Sequence, residues 1–198
     1  MEYRILTIGR QYGSGGHEIG EQLAKACGIS FYDTALIDLA ADYGNIDSDQ
    51  LKQADEKRPG SLLYTVFEGS NAKTGYHLPI QDAMYNLQSG VIRTLAEKEP
   101  CVIVGRCADY VLKGRTDTIS VFIYADLEYR IDRICRRMNC SKKEATALIK
   151  KTDKNRSYYY NYYTDQKWGS MGAYDLSLNS SKLGIDGCVE LLTKLLRP

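Results

Sequence analysis

Residues 3–28, YRILTIGRQYGSGGHEIGEQLAKACG, carry a short apolar run into a glycine-rich turn and then into an amphipathic segment. Few folds accept that order. Residues 3–9 are rich in β-formers and stop at a glycine, the pattern of a buried strand. Ile19, Leu23, Ala24, Ala26 and Cys27 recur at helical spacing, and Gly28 is placed to end the helix. Between them, Gly13, Gly15 and Gly16 permit the positive φ and close backbone approach with which a turn wraps an anion at a helix N-terminus. A plain glycine turn between a strand and a packing helix has the same local pattern. Its place at the first strand of an alternating chain favours the anion-binding reading.

The rest of the chain keeps alternating. Apolar β-rich runs are expected as strands at 3–9, 30–32, 101–105, 118–124 and 175–179. Helical periodicity predicts helices over 34–44, 80–99, 126–138, the start of 141–164, and 184–197. Strand–helix alternation with right-handed crossovers implies an α/β three-layer sandwich: a five-stranded parallel sheet with helices on both faces. The chain reads as one domain over 1–198, with approximate insertions near 34–98 and 139–170. Residues 45–80 and 140–170 are expected to be the mobile parts, from their polarity and loop content.

The bulk numbers remove several classes. Lys plus Arg number 26 and Asp plus Glu 25, for a net charge of +1, which argues against a nonspecific nucleic-acid partner. No apolar run nears 18 residues, and the first ten residues lack the basic lead and apolar stretch of a signal peptide. None of the six cysteines forms a C-x-x-C pair, and two histidines are few for a zinc site. Cys27, Cys101 and Cys188 sit in apolar patterns, and all six are expected to be reduced, in a cytoplasmic protein. The run YYYNYY at 158–163 fits a helix packing on its neighbours or on a second copy in a homo-oligomer better than a base-stacking platform.

The turn lacks the lysine of a Walker loop, G-x-x-x-x-G-K-[ST]. Losing one preorganised donor from a transition-state site costs about 2.7–4 kcal/mol, so an enzyme built on this turn needs another cation. Arg10 and His17 flank the turn, and Arg106, Arg130, Arg133 and Arg156 are the distal candidates.

Several motifs, taken in order, resemble the cytidylate kinase-like family, relatives of the P-loop nucleoside monophosphate kinases. The parent loop G-P-S-G-S-G-K-G-T is matched by RQYGSGGHE at 10–18, with Gly16 at the lysine position and Glu18 at the threonine position. D-x-G-A-x-Y-R is matched by YDTALID at 32–38, which keeps Asp33 but has Asp38 where the parent has arginine. G-R-D appears as GRCAD at 105–109, E-x-R-x-x-R as EYRIDR at 128–133, and D-x-x-R as Asp153 and Arg156. YDLSLNS at 174–180 matches the last strand, and residues 45–95 are not covered.

The resemblance implies a P-loop NTPase-type fold and transfer of the ATP γ-phosphate to a nucleoside monophosphate or another small acceptor. Tyr12, Gly13, Ser14, Gly15, Gly16 and His17 would hold ATP, and Asp33 and Arg106 the acceptor. Arg10, Arg130, Arg133, Asp153 and Arg156 would act on the transferring group, where an arginine fork suits phosphate oxygens. Mg²⁺ is implied with ligands undetermined, because Glu18 replaces the usual hydroxyl. A non-catalytic nucleotide-binding or regulatory protein on the same fold is the alternative.

Overall fold

The computed structural model describes residues 3–33 and 80–196. The expected helix at 34–44, and the insertion as far as residue 79, lie outside the described residues. Five strands form one parallel sheet: β1 (Ile5–Arg10), β2 (Ser30–Tyr32), β3 (Cys101–Val104), β4 (Thr118–Tyr124) and β5 (Leu176–Asn179). Their order across the sheet is β2-β3-β1-β4-β5. β1 is therefore central, with Ile5 opposite Cys101 on one side and Thr118 on the other. The expected strand positions agree with these within one or two residues.

Alternation along the central strands separates two cores. Leu6, Ile8, Val102, Val104, Val121 and Ile123 face helices α1 (Gly16–Cys27) and α6 (Ser180–Thr193), where Ile19, Leu23, Cys188 and Leu192 meet them. Ile5, Cys101 and Ile103 face the opposite way, onto α2 (Ile80–Lys98) and α3 (Ala108–Val111) through Val91, Ile92, Ala96 and Ala108. Residues 80–98 thus supply a core helix rather than a peripheral one. β1, β3 and β4 are buried on both faces over their central residues, which is why they read as nearly continuous apolar runs.

Two helices stand at the end of the sheet that carries the glycine turn. α4 (Leu127–Met138) and α5 (Lys142–Thr164) pack through Ile131, Ile134, Ala145 and Ile149, with Tyr12 against them. Asn139, left-handed at φ 48, ends α4. Ser141 and Glu144 then form a reciprocal capping box that starts α5, so the joint is only three residues long. The tyrosine run lies on α5. Tyr160 is buried against Phe122 and Tyr174, while Tyr163 stacks on Tyr85 with ring centroids 4.2 Å apart. Packing on neighbours is therefore the use made of Tyr160 and Tyr163. Tyr158 and Tyr162 remain exposed. All six cysteines are free thiols, with Cys101, Cys107 and Cys188 buried and Cys27 half-buried. Among the described residues, no helix is long and apolar enough to cross a membrane.

Candidate active site

Gly13 and Gly15, each at φ 82, turn the chain from β1 into α1. Ser14 between them points inward. Its hydroxyl donates to the Gln11 carbonyl (2.8 Å), and its own carbonyl accepts from the buried Ser180 hydroxyl (2.6 Å). Ser14 is thus a brace for the turn and does not line the cavity beside it. The Tyr12 N–H is also committed, donating to Asp153 Oδ1 at 2.7 Å. The first helical hydrogen bond runs from Ile19 N to the Gly15 carbonyl, so the N–H groups of Gly16, His17 and Glu18 precede it. Those are the orphan donors of a helix N-terminus, and they sit on the positive end of the α1 dipole.

The missing lysine has a spatial explanation. A Cβ built on Gly16 would lie 2.6 Å from Arg10 Cβ and 3.1 Å from Arg10 Cγ. The arginine stem fills the space a side chain at 16 would need. Arg10 stands where the parent loop quoted above begins with glycine, and Gly16 where that loop has lysine. The two residue types have exchanged places across the turn, and a cation is kept. From there the Arg10 guanidinium reaches over Gly105, with Nη2 3.4 Å from Asp33 Oδ1. Asp33 is only 8% exposed and meets His17 Nε2 through its other oxygen at 3.0 Å.

The remaining arginines divide into two groups. Arg130, 8% exposed, lies behind the turn: Nη1 donates to Asp153 Oδ2 at 2.6 Å and to the Tyr12 carbonyl at 3.4 Å. Arg130 and Asp153 clamp Tyr12 and do not line the cavity. Arg133, one turn on, points over the mouth of the turn and pairs with Glu18 at 2.6 Å. Arg156, on α5, donates to the Arg10 carbonyl at 3.1 Å and lies 5.5 Å from the centre of the Tyr12 ring. Burial lowers its pKa below the ordinary arginine value, an effect partly offset by Asp153 and Asp33.

A cavity of about 1280 Å³ opens on this turn. Gly13, Gly15, Gly16, His17, Arg10, Asp33, Arg106, Arg133 and Arg156 all line it. The volume exceeds the roughly 300–1,000 Å³ of ordinary small-molecule sites, which leaves room for two ligands side by side. The same wall includes Gln11, Asp109, Arg136, Arg137, Trp168 and Tyr174, to which the sequence reading assigned no role, and Tyr159 and Tyr160, which it read as packing residues. Asp109 was within reach, as the last letter of GRCAD. Trp168 and Tyr174 carry no such signal, and the YYYNYY run does not say which of its rings faces the cavity, because only the fold sets the spacing of these segments.

Mg²⁺ finds little protein support here. Glu18 is taken by Arg133, and Asp33 by Arg10 and His17. Among the described residues no cluster of three His, Cys, Asp or Glu side chains is placed to hold a metal ion. A protein-held magnesium cage does not fit this donor set.

A central β1 running through a glycine turn into α1, in sheet order β2-β3-β1-β4-β5, with a cationic cavity at that turn, defines a P-loop kinase fold. The chain is similar in structure to the shikimate kinase of Bacteroides thetaiotaomicron (TM-score 0.55, 13% identity, 96% of this chain and 97% of that one). It is also similar to the Acinetobacter baumannii shikimate kinase in complex with shikimate (TM-score 0.52, 14% identity, 96% and 90%). At these identities the likeness concerns the fold alone. A protein from Eubacterium ventriosum, described as uncharacterized, is nearer, with TM-score 0.72 and 30% identity over 96% of both chains. The profile of the cytidylate kinase-like family matches residues 5–182, and the chain belongs to that family. It is also similar to the cytidylate kinase of Archaeoglobus fulgidus, 30% identical over 106 residues, covering 52% of this chain and 56% of that protein. The cytidylate kinase of Methanopyrus kandleri is 25% identical over 114 residues, 54% and 59% of the two chains. The chain thus spans just over half the length of these two curated relatives.

Proposed function

We propose that this protein is an ATP-dependent phosphotransferase that moves the γ-phosphate to a nucleoside monophosphate or a comparable small acceptor. The observation that carries the reading is the convergence of Arg10, Arg106, Arg133 and Arg156 with the glycine turn on one cavity. Phosphoryl transfer asks chiefly for positioning and charge stabilisation, which such a cradle supplies without a covalent step. The N–H groups at the start of α1 would hold the β-phosphate. Arg10, fixed by Asp33, would stand in for the lysine, and Arg156 would join it from α5. Arg133 would leave Glu18 for the phosphates, exchanging a carboxylate for a polyanion of higher charge. Arg106 and Asp33 would face the acceptor. Arg130 and Asp153 would act at one remove, by holding Tyr12 and so the turn. Any Mg²⁺ would arrive on the polyphosphate, with few protein ligands, as is usual for that ion.

The test is coupled ADP release with ATP and Mg²⁺ across a panel of nucleoside monophosphates and small hydroxylated or phosphorylated acceptors. ADP formation that depends on one acceptor supports the reading. ATP binding with no transfer to any acceptor replaces it by a non-catalytic nucleotide-binding protein.

A further inference from the structure

The phosphate cradle uses the backbone N–H of His17 and leaves its side chain without a task. The imidazole lines the cavity, with the side chain 53% exposed. Its Nε2 lies 3.0 Å from Asp33 Oδ2, and its ring meets the Phe31 ring edge-on, with centroids 5.3 Å apart and planes at 79°. These two contacts orient the ring, and Nδ1 makes no hydrogen bond among the described residues. A carboxylate accepts hydrogen bonds and has none to give. In the neutral ring Nε2 therefore carries the proton, and Nδ1 keeps a free lone pair.

Asp33 is not placed to do the same work. It is 8% exposed, with one oxygen on Arg10 and the other on His17. A carboxylate in that position orients the imidazole and stabilises the charge the ring gains on taking a proton. The two acceptor classes open to this cavity differ in what they ask of such a pair. A phosphate monoester loses its second proton at a pH of about 6, so at neutral pH its oxygen is already ionised. An alcohol holds its proton into the transition state and gains about 10²–10⁴-fold from a positioned base. A carboxylate-braced imidazole in the first turn of α1, beside the orphan N–H groups, is superfluous for the first class and serves the second.

We propose that His17, oriented by Asp33, is the general base of the transfer, and that the acceptor is accordingly a hydroxyl group rather than a phosphate. The proposal rests on the phosphotransferase reading and narrows its acceptor. The acceptor hydroxyl gives its proton to His17 Nδ1 as its oxygen bonds to the γ-phosphorus. The bond from that phosphorus to the β–γ bridging oxygen breaks, and ADP leaves with the electron pair. The His17 imidazolium keeps its Nε2 proton on Asp33 and gives the Nδ1 proton to solvent when the products go. Nothing is oxidised or reduced, and the released proton balances the new phosphate ester.

Water is the smallest hydroxyl acceptor, so ATP hydrolysis by the whole protein tests the base without any other acceptor. With ATP and Mg²⁺, His17→Gln should lower the hydrolysis rate about 10²-fold, because the glutamine amide can still donate to Asp33 but cannot take a proton. The loss should fall on kcat rather than on the KM for ATP, since the backbone N–H at 17 is kept. His17→Ala should lose as much and regain part of its rate with added imidazole, which a merely structural histidine would not show. A second arm sets the four ribonucleosides and glycerol against the nucleoside 5′-monophosphates in the ADP-release assay. Acceleration by a nucleoside or glycerol that disappears in His17→Gln supports the proposal. Hydrolysis at the wild-type rate in His17→Gln overturns it. A nucleoside diphosphate formed from any of the monophosphates also overturns it, and leaves the kinase standing with a phosphate acceptor. ATP that is bound but neither hydrolysed nor transferred removes the kinase reading and the proposal with it.

Discussion

Replacing Gly16 by lysine restores the letters of a conventional phosphate loop, and the structure says it should damage this protein. Gly16 is buried at the first position of α1, and its φ is not in the left-handed region, so the conformation itself accepts any residue. Space is what fails. The new Cβ would meet Arg10 Cβ at 2.6 Å and Ile123 Cβ at 3.3 Å. Carbon atoms pack at roughly 3.5–4.0 Å, and Arg10 Cβ is fixed to a central strand and cannot swing away. Overpacking of this kind costs about 1–3 kcal/mol. Removing a glycine from the unfolded chain offsets about 0.4–1 kcal/mol of that. The net expectation for Gly16→Lys is a loss of about 1–2 kcal/mol, with weaker ATP binding because Arg10 is displaced. The double variant Arg10→Gly/Gly16→Lys removes the clashing atoms and should recover most of the stability. Equilibrium urea unfolding gives the stabilities, and calorimetry with ATP gives the binding. A Gly16→Lys protein that unfolds at the wild-type midpoint and turns over faster than wild type would refute the argument that Arg10 occupies the lysine's space.

Arg156→Ala should lower turnover about 10²-fold or more, the cost of one transition-state donor, whereas Arg10→Ala should weaken ATP binding as well; steady-state rates at wild-type level in both would remove the arginines from the mechanism. Arg130→Met should act on stability, since it leaves the Asp153 carboxylate and the Tyr12 carbonyl without their cation. A loss of about 3 kcal/mol or more in urea unfolding is expected for breaking a largely buried pair, and a wild-type midpoint would contradict it. Asp109 carries a pH signature in the unliganded protein. Burial raises its pKa from 3.8 to about 6, so its contribution to stability is fully present below about 4 and lost as pH rises through about 6. Thermal melts between pH 4 and 7 should show that loss in the wild type and not in Asp109→Asn.

The sheet and its loop were legible because their signals are local. β1, β3 and β4 are apolar runs buried on both faces, and a strand of that kind announces itself wherever it lies in the chain. The positive φ of Gly13 and Gly15 follows from residue type alone. Helix α4 and the start of α5 were likewise foreseen from their periodicity, whereas the Ser141 and Glu144 capping box came only with the structure. The separation of the arginines was not. Arg130 and Arg133 differ by three positions on one amphipathic helix and read as equivalent lid residues, yet one is buried behind Tyr12 and the other faces Glu18. That difference depends on how α4 is rotated against the turn, a relation between two distant segments.

By itself, then, the sequence determined the order of strands and helices, the glycine turn at the start of α1, and the demand for a cation other than lysine. Only the tertiary structure decided where that cation comes from and what surrounds it. Arg10 and Gly16 lie six positions apart in the chain, but their exclusion of each other depends on the path of the turn between β1 and α1. Asp109 and Tyr160 stand 51 residues apart and meet through one hydrogen bond. Tyr174 reaches the same wall from just before the edge strand β5. Periodicity reports which face of an element is apolar, and motif spacing reports what a short segment presents. Neither specifies the distance between side chains on separate elements, and the chemistry of this cavity is made of those distances.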